Sequence, residues 1–320
     1  MIHRAWFAMA AGFLSCLSPH AASAADYPAR PIRVVVPFAA GGSSDITARA
    51  VADKLADALK QPVVVENHTG ASGVVGVAYA ARATPDGYTL LSATPGSYGA
   101  AFVKDLPFDV LKDFEFITTV YRGALIVVVN PSLQVKTLKE LVDYARANPG
   151  KVSYGFPGLS GRLSMEVLKI STGTNMVAIP YKSSAQIMNG VLSGDTPLAV
   201  DSPVVYRPYL DSGKLVALAV ADTQRLSALP NIPTTTEAGF PQLQSYFHSG
   251  FVAPAGTPAP IIDTLNKAIV AIVAMPDIQE RFKRSAYEPM TTTPAQMREV
   301  IAQELDYYTR AARQSHYVPE

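Results

Sequence analysis

The sequence predicts an α/β protein of two lobes, each a central sheet flanked by helices, hinged where the chain crosses twice between them. Three observations predict it. Pro31 to Leu55, PIRVVVPFAAGGSSDITARAVADKL, sets a short β-branched run against a glycine turn and an amphipathic helix, the unit from which parallel sheets are built. A second series of the same kind begins after Gly150. The last third is rich in helix and poor in strand, so its helices need a sheet made earlier and imply crossings near residues 121 to 125 and 244 to 252. At 320 residues, with 48% hydrophobic content, the chain can fill two cores of about 150 residues each.

The first 24 residues read as a separate segment. His3 and Arg4 precede a mostly apolar Ala5 to Leu17, then Pro19 and a small-residue ending, Ala22-Ser23-Ala24. That is the order of a cleavable secretory signal, and the apolar run is too short for a permanent anchor. The only cysteine, Cys16, lies inside it, so the mature chain is expected to carry no thiol. A competing reading anchors a lipoprotein through Cys16, because Leu14-Ser15-Cys16 loosely resembles a lipid-attachment box; Phe13 fits that box poorly.

In the opening unit, Ile32 to Val36 reads as a buried strand, and Gly41 and Gly42 allow a sharp turn. Ser43, Ser44 or Asp45 can cap the helix that follows, whose apolar positions are Ile46, Ala50, Val51 and Leu55. A glycine turn at a helix N-terminus aims backbone N–H groups at one spot and so favours an anion there, although many parallel sheets turn this way and bind nothing. Pro62 to Glu66 is a second strand, and Gly70, Ala71, Ser72 and Gly73 form a second N–H donor loop before a helix from Val74 to Arg82. The glycines at 70, 73 and 76 do not have dinucleotide spacing. Tyr88 to Ala93 is a third strand, with Thr94 opening the loop at its carboxyl end. Three such loops converging at one sheet edge are a stronger signal than any one of them.

Phe114 to Thr119 and Ala124 to Val129 read as extended. Thr137 caps a helix from Leu138 to Ala147. The second series then gives strand Val152 to Phe156, a loop through Gly158 and Ser160, and helix Arg162 to Ser171. Strand Met176 to Pro180, helix Ala185 to Leu192 and strand Pro197 to Asp201 complete it, followed by a short helix from Pro203 and a strand from Leu215 to Ala221. Ser245 to Val252 is extended. Helices then run from Ala259 to Ala274, after Pro276, and from Pro294 to Arg313.

The chemistry points to binding. Lys+Arg 27 against Asp+Glu 26 leaves a net charge of +1, with no basic stripe for nucleic acid. Past the signal there are His68, His248 and His316, no cysteine, no clustered metal-ligand spacing and no G-x-S-x-G elbow, since Arg162 stands where the elbow needs glycine. No metal or cofactor is implied. Arg162 can be a solvated surface residue or can grip a carboxylate with its planar fork. Asp45 can be a cap, Asp201 can close a strand, Tyr181 can supply a hydroxyl or plug the domain edge, and Phe247 and His248 can pack the core or meet a ligand.

Tyr27 to Asp45 as Y-P-x-R-P-I-x-x-V-V-P-F-A-A-G-G-x-x-D, Val65 to Gly76 as V-E-N-x-x-G-A-x-G-x-x-G, and Pro85 to Leu91 as P-D-G-Y-T-L-L resemble the Bug family. Pro180-Tyr181-Lys182, Glu237-Ala238-Gly239 and Ala253 to Pro258 extend the likeness over essentially the whole mature chain. These are periplasmic solute receptors of tripartite tricarboxylate transporters. The resemblance implies a monomeric Venus flytrap that takes a small carboxylate and passes it to small and large membrane subunits. It implies a first lobe of residues 25–122 and 248–320 and a second of 123–247. Gly41 to Asp45 and Gly70 to Gly73 would hold one carboxylate, partly through ordered water, and Gly158 to Arg162, Tyr181 and Asp201 would select the guest. Where many members have histidine after Ser-Pro, this chain has Ser160-Gly161-Arg162. That favours a dicarboxylate, and Phe38 and Phe247 suit an aromatic one such as terephthalate. An extracytoplasmic sensor input and a hydrolase in the same cleft are the alternatives.

Overall fold

The structure, a computed structural model, describes residues 27–41, 43–94, 106–156, 159–181 and 183–314. The expected signal segment and Cys16 lie outside them.

The first sheet grows from parallel strands. Ile32–Val36 (β1) is flanked by Val63–Asn67 (β2) and Thr89–Ala93 (β3), and the antiparallel strands Tyr246–Pro254 (β10), Phe114–Ala124 (β4) and Glu288–Pro289 (β11) extend it to the order β11-β4-β10-β3-β1-β2. The alternation of β1 sends Ile32, Val34 and Val36 to one face. There they pack with Val51 and Leu55 of the helix Ser43–Leu59 (α1) and with Ile261, Leu265 and Ile269 of Ala259–Val273 (α7). Val35 points the other way, to Val77 of Val74–Ala81 (α2) and to Met297 and Ile301 of Pro294–Gln314 (α9). Pro276–Arg284 (α8) adds Ile278 and Phe282 to the first face.

The second sheet repeats the plan, with order β7-β6-β8-β5-β9. Its parallel strands are Val152–Phe156 (β6), Met176–Pro180 (β7) and Leu198–Asp201 (β8); Ile126–Val129 (β5) and Val216–Val220 (β9) join antiparallel. Val127 and Val129 face Leu138, Leu141 and Ala145 of Leu138–Ala147 (α3) and Met165 and Leu168 of Leu159–Thr172 (α4). Ile126 and Val128 face Ile187 and Val191 of Ser184–Ser193 (α5). Arg207–Asp211 (α6) is a short turn of helix near the edge. Two mixed sheets with flanking helices make the two-lobed α/β architecture the sequence predicts.

The chain leaves the first sheet through a single residue, Leu125, between β4 and β5. Its N–H donates to Ser245 O (2.9 Å), Ser245 N–H donates to Ala221 O (2.7 Å), and Ala221 N–H donates to Leu125 O (2.8 Å). The two crossings and the residue that follows β9 are thus closed into one ring of backbone hydrogen bonds.

Four details differ from the sequence reading. Ile46, expected on the buried face of α1, is 42% exposed. β11 is two residues long, too short to leave a periodic pattern. The fourth helix starts at Leu159, not Arg162, because Gly161 lets it approach β8 so closely that a Cβ there would lie 2.9 Å from Val200 O. The last helix does not simply return to the first sheet. Its early turns pack there, but Tyr308, Ala311 and Ala312 pack against Leu163 and Val167 of α4. At 21 residues α9 is about 31 Å long and reaches both lobes.

Where β10 crosses β4 the register shifts between Ser249 and Gly250, and a Cβ on Gly250 would sit 2.3 Å from Thr118 O and 2.8 Å from Thr119 Cα. Backbone on both sides leaves no room to yield. Gly250→Ala is expected to destabilise the protein by about 2 to 3 kcal/mol, read as a lower denaturant midpoint; an unchanged midpoint would contradict this packing.

Candidate functional site

The carboxyl ends of β1, β2 and β3 carry the first group of expected residues. After β1 the chain runs through Phe38 to Gly41, whose φ of 79° suits glycine, and enters α1. Asp45 sits in the first turn of α1, 3% exposed, and its carboxylate accepts hydrogen bonds from Gly41 N–H (2.9 Å), Arg49 Nε (3.0 Å) and Asn67 Nδ2 (2.9 Å). Asn67, at the end of β2, also donates to Phe38 O (2.9 Å) and accepts from Arg49 Nη2 (3.0 Å). Burial alone would raise the Asp45 pKa, but the Arg49, Gly41 and Asn67 hydrogen bonds outweigh it and hold the carboxyl below its usual range. One ionised carboxylate therefore locks the β1 loop to the end of β2.

The β2 loop is locked in turn to β1. Gly70 (φ 140°) and Gly73 (φ 100°) flank a single 3-10 turn, Ala71–Gly73, that leads into α2. A Cβ on Gly76 would meet His68 O at 2.6 Å and Pro37 Cα at 2.8 Å, so glycine is what lets α2 seat between the two strand ends. The Phe38 ring lies over Gly73, 3.3 Å from where a Cβ would be. Thr94, 8% exposed, closes β3 beside them. The first-turn amides of α1 have no intrahelical acceptor and present donors at this edge, whereas those at the start of α2 close on the turn before it, Gly73 N–H on Gly70 O (2.9 Å) and Val74 N–H on Ala71 O.

The structure thus gathers Phe38, Gly41, Ser44, Asp45, Gly70, Ala71, Gly73 and Thr94. Gly42 and Gly158 lie outside the described residues, as do the side chains of Ser43 and Ser72. On the second sheet, Ser160 and Arg162 stand in the first turns of α4; both are half-buried. The Arg162 guanidinium is near enough to Tyr154 to oppose the rise in that phenol's pKa that burial causes.

Other expected residues turn inward. The Tyr181 hydroxyl is bonded to Thr196 Oγ1 (2.7 Å), and its ring lies beneath Gly155 and Gly190. Asp201, 1% exposed, accepts from Ser184 Oγ (3.0 Å), Ser202 N–H (2.7 Å) and Tyr206 OH (3.1 Å). Phe247 covers Gly123, with Tyr121 and Tyr287 edge-on to its ring. His248 is buried; its N–H and Nδ1 both reach Glu304 Oε1 of α9, at 2.8 and 2.6 Å. Desolvation pushes the Glu304 pKa up, against the pull of His248.

Sequence reasoning missed Arg49 and Asn67 as organisers of the site. The signal was available: Asn67 ends the second strand and Arg49 stands one helical turn after Asp45. It also missed Glu304, whose pairing joins residues 56 positions apart.

Two pH-dependent behaviours follow. Burial pushes Asp201 from 3.8 up to about 6, so between those values the folded protein binds more protons than the unfolded chain and stability falls as pH rises. The group accounts for about 3 kcal/mol at most, and Asp201→Asn should flatten the denaturation profile between about pH 4 and 6; an unaltered profile would contradict the assignment. Asp45 has the opposite sign: its contribution is present above the unfolded carboxyl range and lost as pH falls through its lowered pKa. Asp45→Ala should therefore destabilise at pH 7 by about 1 to 3 kcal/mol and much less at pH 3; an equal loss at both would rule out the ionised network.

The profile of the TctC family, described as the tripartite tricarboxylate transporter family receptor, matches residues 47–314. The chain is 35% identical over 298 residues to Protein BugT of Bordetella pertussis, across 92% of this chain and 91% of that protein. Among solved structures it is similar to R. palustris Rpa4515 with adipate, at TM-score 0.81 and 30% identity, covering 92% of this chain and 100% of that one. It is also similar to MatC (Rpa3494) from Rhodopseudomonas palustris with bound malate, at TM-score 0.77 and 26% identity, covering 89% and 99%. The Bug resemblance of the motifs is thereby met by relatives and fold alike, and the chain belongs to the TctC family, the receptors of tripartite tricarboxylate transporters.

Proposed function

We propose that this protein is a periplasmic, non-catalytic receptor that captures a small dicarboxylate and delivers it to a tripartite membrane transporter. The observation that carries the reading is the pair of strand-end loops held together through Asp45, Arg49 and Asn67, with the start of α1 and the Ala71–Gly73 turn at one edge. Main-chain donors fixed by a neutralised carboxylate can receive an anion without a dedicated cation. Adipate and malate, named with two structural neighbours, each carry two carboxylates. In this reading residues 1–24 are a leader removed on export. Residues 25–122 and 248–320 form the lobe that anchors one carboxylate, and 123–247 the lobe that selects by the other. Arg162 meets the distal carboxylate with its fork, while Phe38 lines the space between. The lobes close on the guest about Leu125 and Ser245, and the closed form is what the membrane subunits accept.

A thermal-shift panel of aliphatic and aromatic mono-, di- and tricarboxylates tests this. A cognate dicarboxylate at 100 times its Kd should add about 2.7 kcal/mol of stability and be recovered unchanged. Arg162→Ala should weaken dicarboxylates by about 10- to 100-fold and leave any monocarboxylate affinity nearly unchanged. A panel in which no carboxylate stabilises the protein, or in which the bound acid is turned over, would overturn the function; equal dicarboxylate affinity in the variant would overturn the role of Arg162.

A further inference from the structure

A second concave surface runs along α2 on the first sheet, from the starts of β1 and β3 to the first turn of the helix. α2 has eight residues and is about 12 Å long. It covers the face of the sheet at Val35 but leaves the second residue of β1, Arg33, exposed, although β1 is paired on both sides. In register beside Arg33 on that face are Val64 of β2, 47% exposed, and Thr89 of β3. The outer side of α2 contributes Val75, 49% exposed, and Tyr79, 38% exposed. Three of the seven large exposed hydrophobics among the described residues are therefore gathered here. The groove holds about 710 Å³, and among the described residues Arg30, Arg33 and Arg82 line it with Asp86 as the one acid.

The cations are not evenly engaged. Arg30 takes Asp86 (2.7 Å) and lies 3.9 Å over the Tyr88 ring. Among the described residues the Arg33 guanidinium donates to the Tyr79 hydroxyl alone (3.2 Å), and Tyr79 in turn stacks on His68, which is paired with Glu66. Among the described residues, neither Arg33 nor Arg82 has a carboxylate within ion-pair distance. Exposed valines on a sheet face, tyrosines and uncommitted arginines are the make-up of a protein interface centre rather than of a small-anion pocket, which would leave Val64 and Val75 wet.

We propose that this groove is the seat for a loop of the membrane partner carrying an apolar side chain between two acidic residues. The identity of the partner rests on the transport function proposed above; the acidic chemistry rests on the groove. Every lining residue belongs to the first sheet or to its adjoining segments, from Arg33 and Thr89 at the starts of β1 and β3 along α2 to Val75. Lobe closure does not reshape it. This groove accordingly contributes the same docking affinity in the empty and the loaded receptor, and recognition of the closed form rests on other contacts.

The test places a photo-crosslinking phenylalanine analogue at Val75 of the intact protein in cells that carry its transporter, with Ile170 of α4, 55% exposed, as the control position. Val75, but not Ile170, should yield an adduct that maps to an acidic segment of a membrane protein. Arg33→Glu with Arg82→Glu should cut that yield at least tenfold, equally with and without added dicarboxylate. Carboxylate affinity of the purified double variant should stay within twofold. An adduct to a second copy of this chain, an adduct to a soluble protein, no adduct, or a yield indifferent to charge reversal would each overturn the docking proposal. An acidic membrane adduct together with no stabilising carboxylate would overturn the receptor function and leave the docking chemistry standing.

Discussion

One buried carboxylate organises the end of the first sheet. Asp45 draws the Gly41 amide, the Arg49 guanidinium and the Asn67 amide onto itself, and through Asn67 it reaches the carbonyl of Phe38. A bare carboxylate beside an anion site would repel the guest. Ion pairing with Arg49 cancels that charge, while the hydrogen bonds it makes to Gly41 and Asn67 fix the loop that leads into α1. Gly76 completes the arrangement from the other side, since only glycine lets α2 lie against Pro37 and His68. The loops are short, but their conformation is over-determined.

The second lobe commits its polar groups differently. Asp201, Tyr206, Ser184, Tyr181 and Thr196 satisfy one another within the lobe, so they stabilise its strand ends and are already occupied. Between the lobes, the ring through Leu125, Ala221 and Ser245 lies beside the Arg122–Asp222 ion pair and the His248–Glu304 contact. The Tyr307 hydroxyl of α9 donates to Gln244 O (2.5 Å), which also receives Ser164 Oγ of α4 (2.8 Å). α9 thus grips the returning strand at its middle and the second lobe at its end. Any opening of the lobes has to be taken up at this helix as well as at the two crossings.

Much of the fold was legible because its signals are local. β1, α3 and β6 follow from β-branched runs, a threonine cap and apolar periodicity, and the structure puts them at the expected residues. The strand-end loops were legible for the same reason: glycines and an aspartate stand next to one another in sequence, although Asp45 lies inside the first turn of α1, which starts at Ser43, and reaches back to Gly41 instead of capping the helix. What stayed hidden depends on distant partners. The early start of α4 is set by the approach of Gly161 to Val200, the destination of α9 by Leu163 and Val167, and the environment of His248 by Glu304. Asp201 and Tyr181 stand at strand ends as the pattern requires, yet their hydrogen bonds, to Ser184 and Tyr206 and to Thr196, decide which way they face.

The central claim is that main-chain amides at residues 43–45 and 71–72 do the capturing, with side chains choosing among guests. A crystal structure with a stabilising dicarboxylate tests it most directly. One carboxylate should lie within 3.2 Å, directly or through a single water, of amides in both loops, with Asp45 still bound to Arg49. A carboxylate seated elsewhere, or one held by side chains alone, would contradict it.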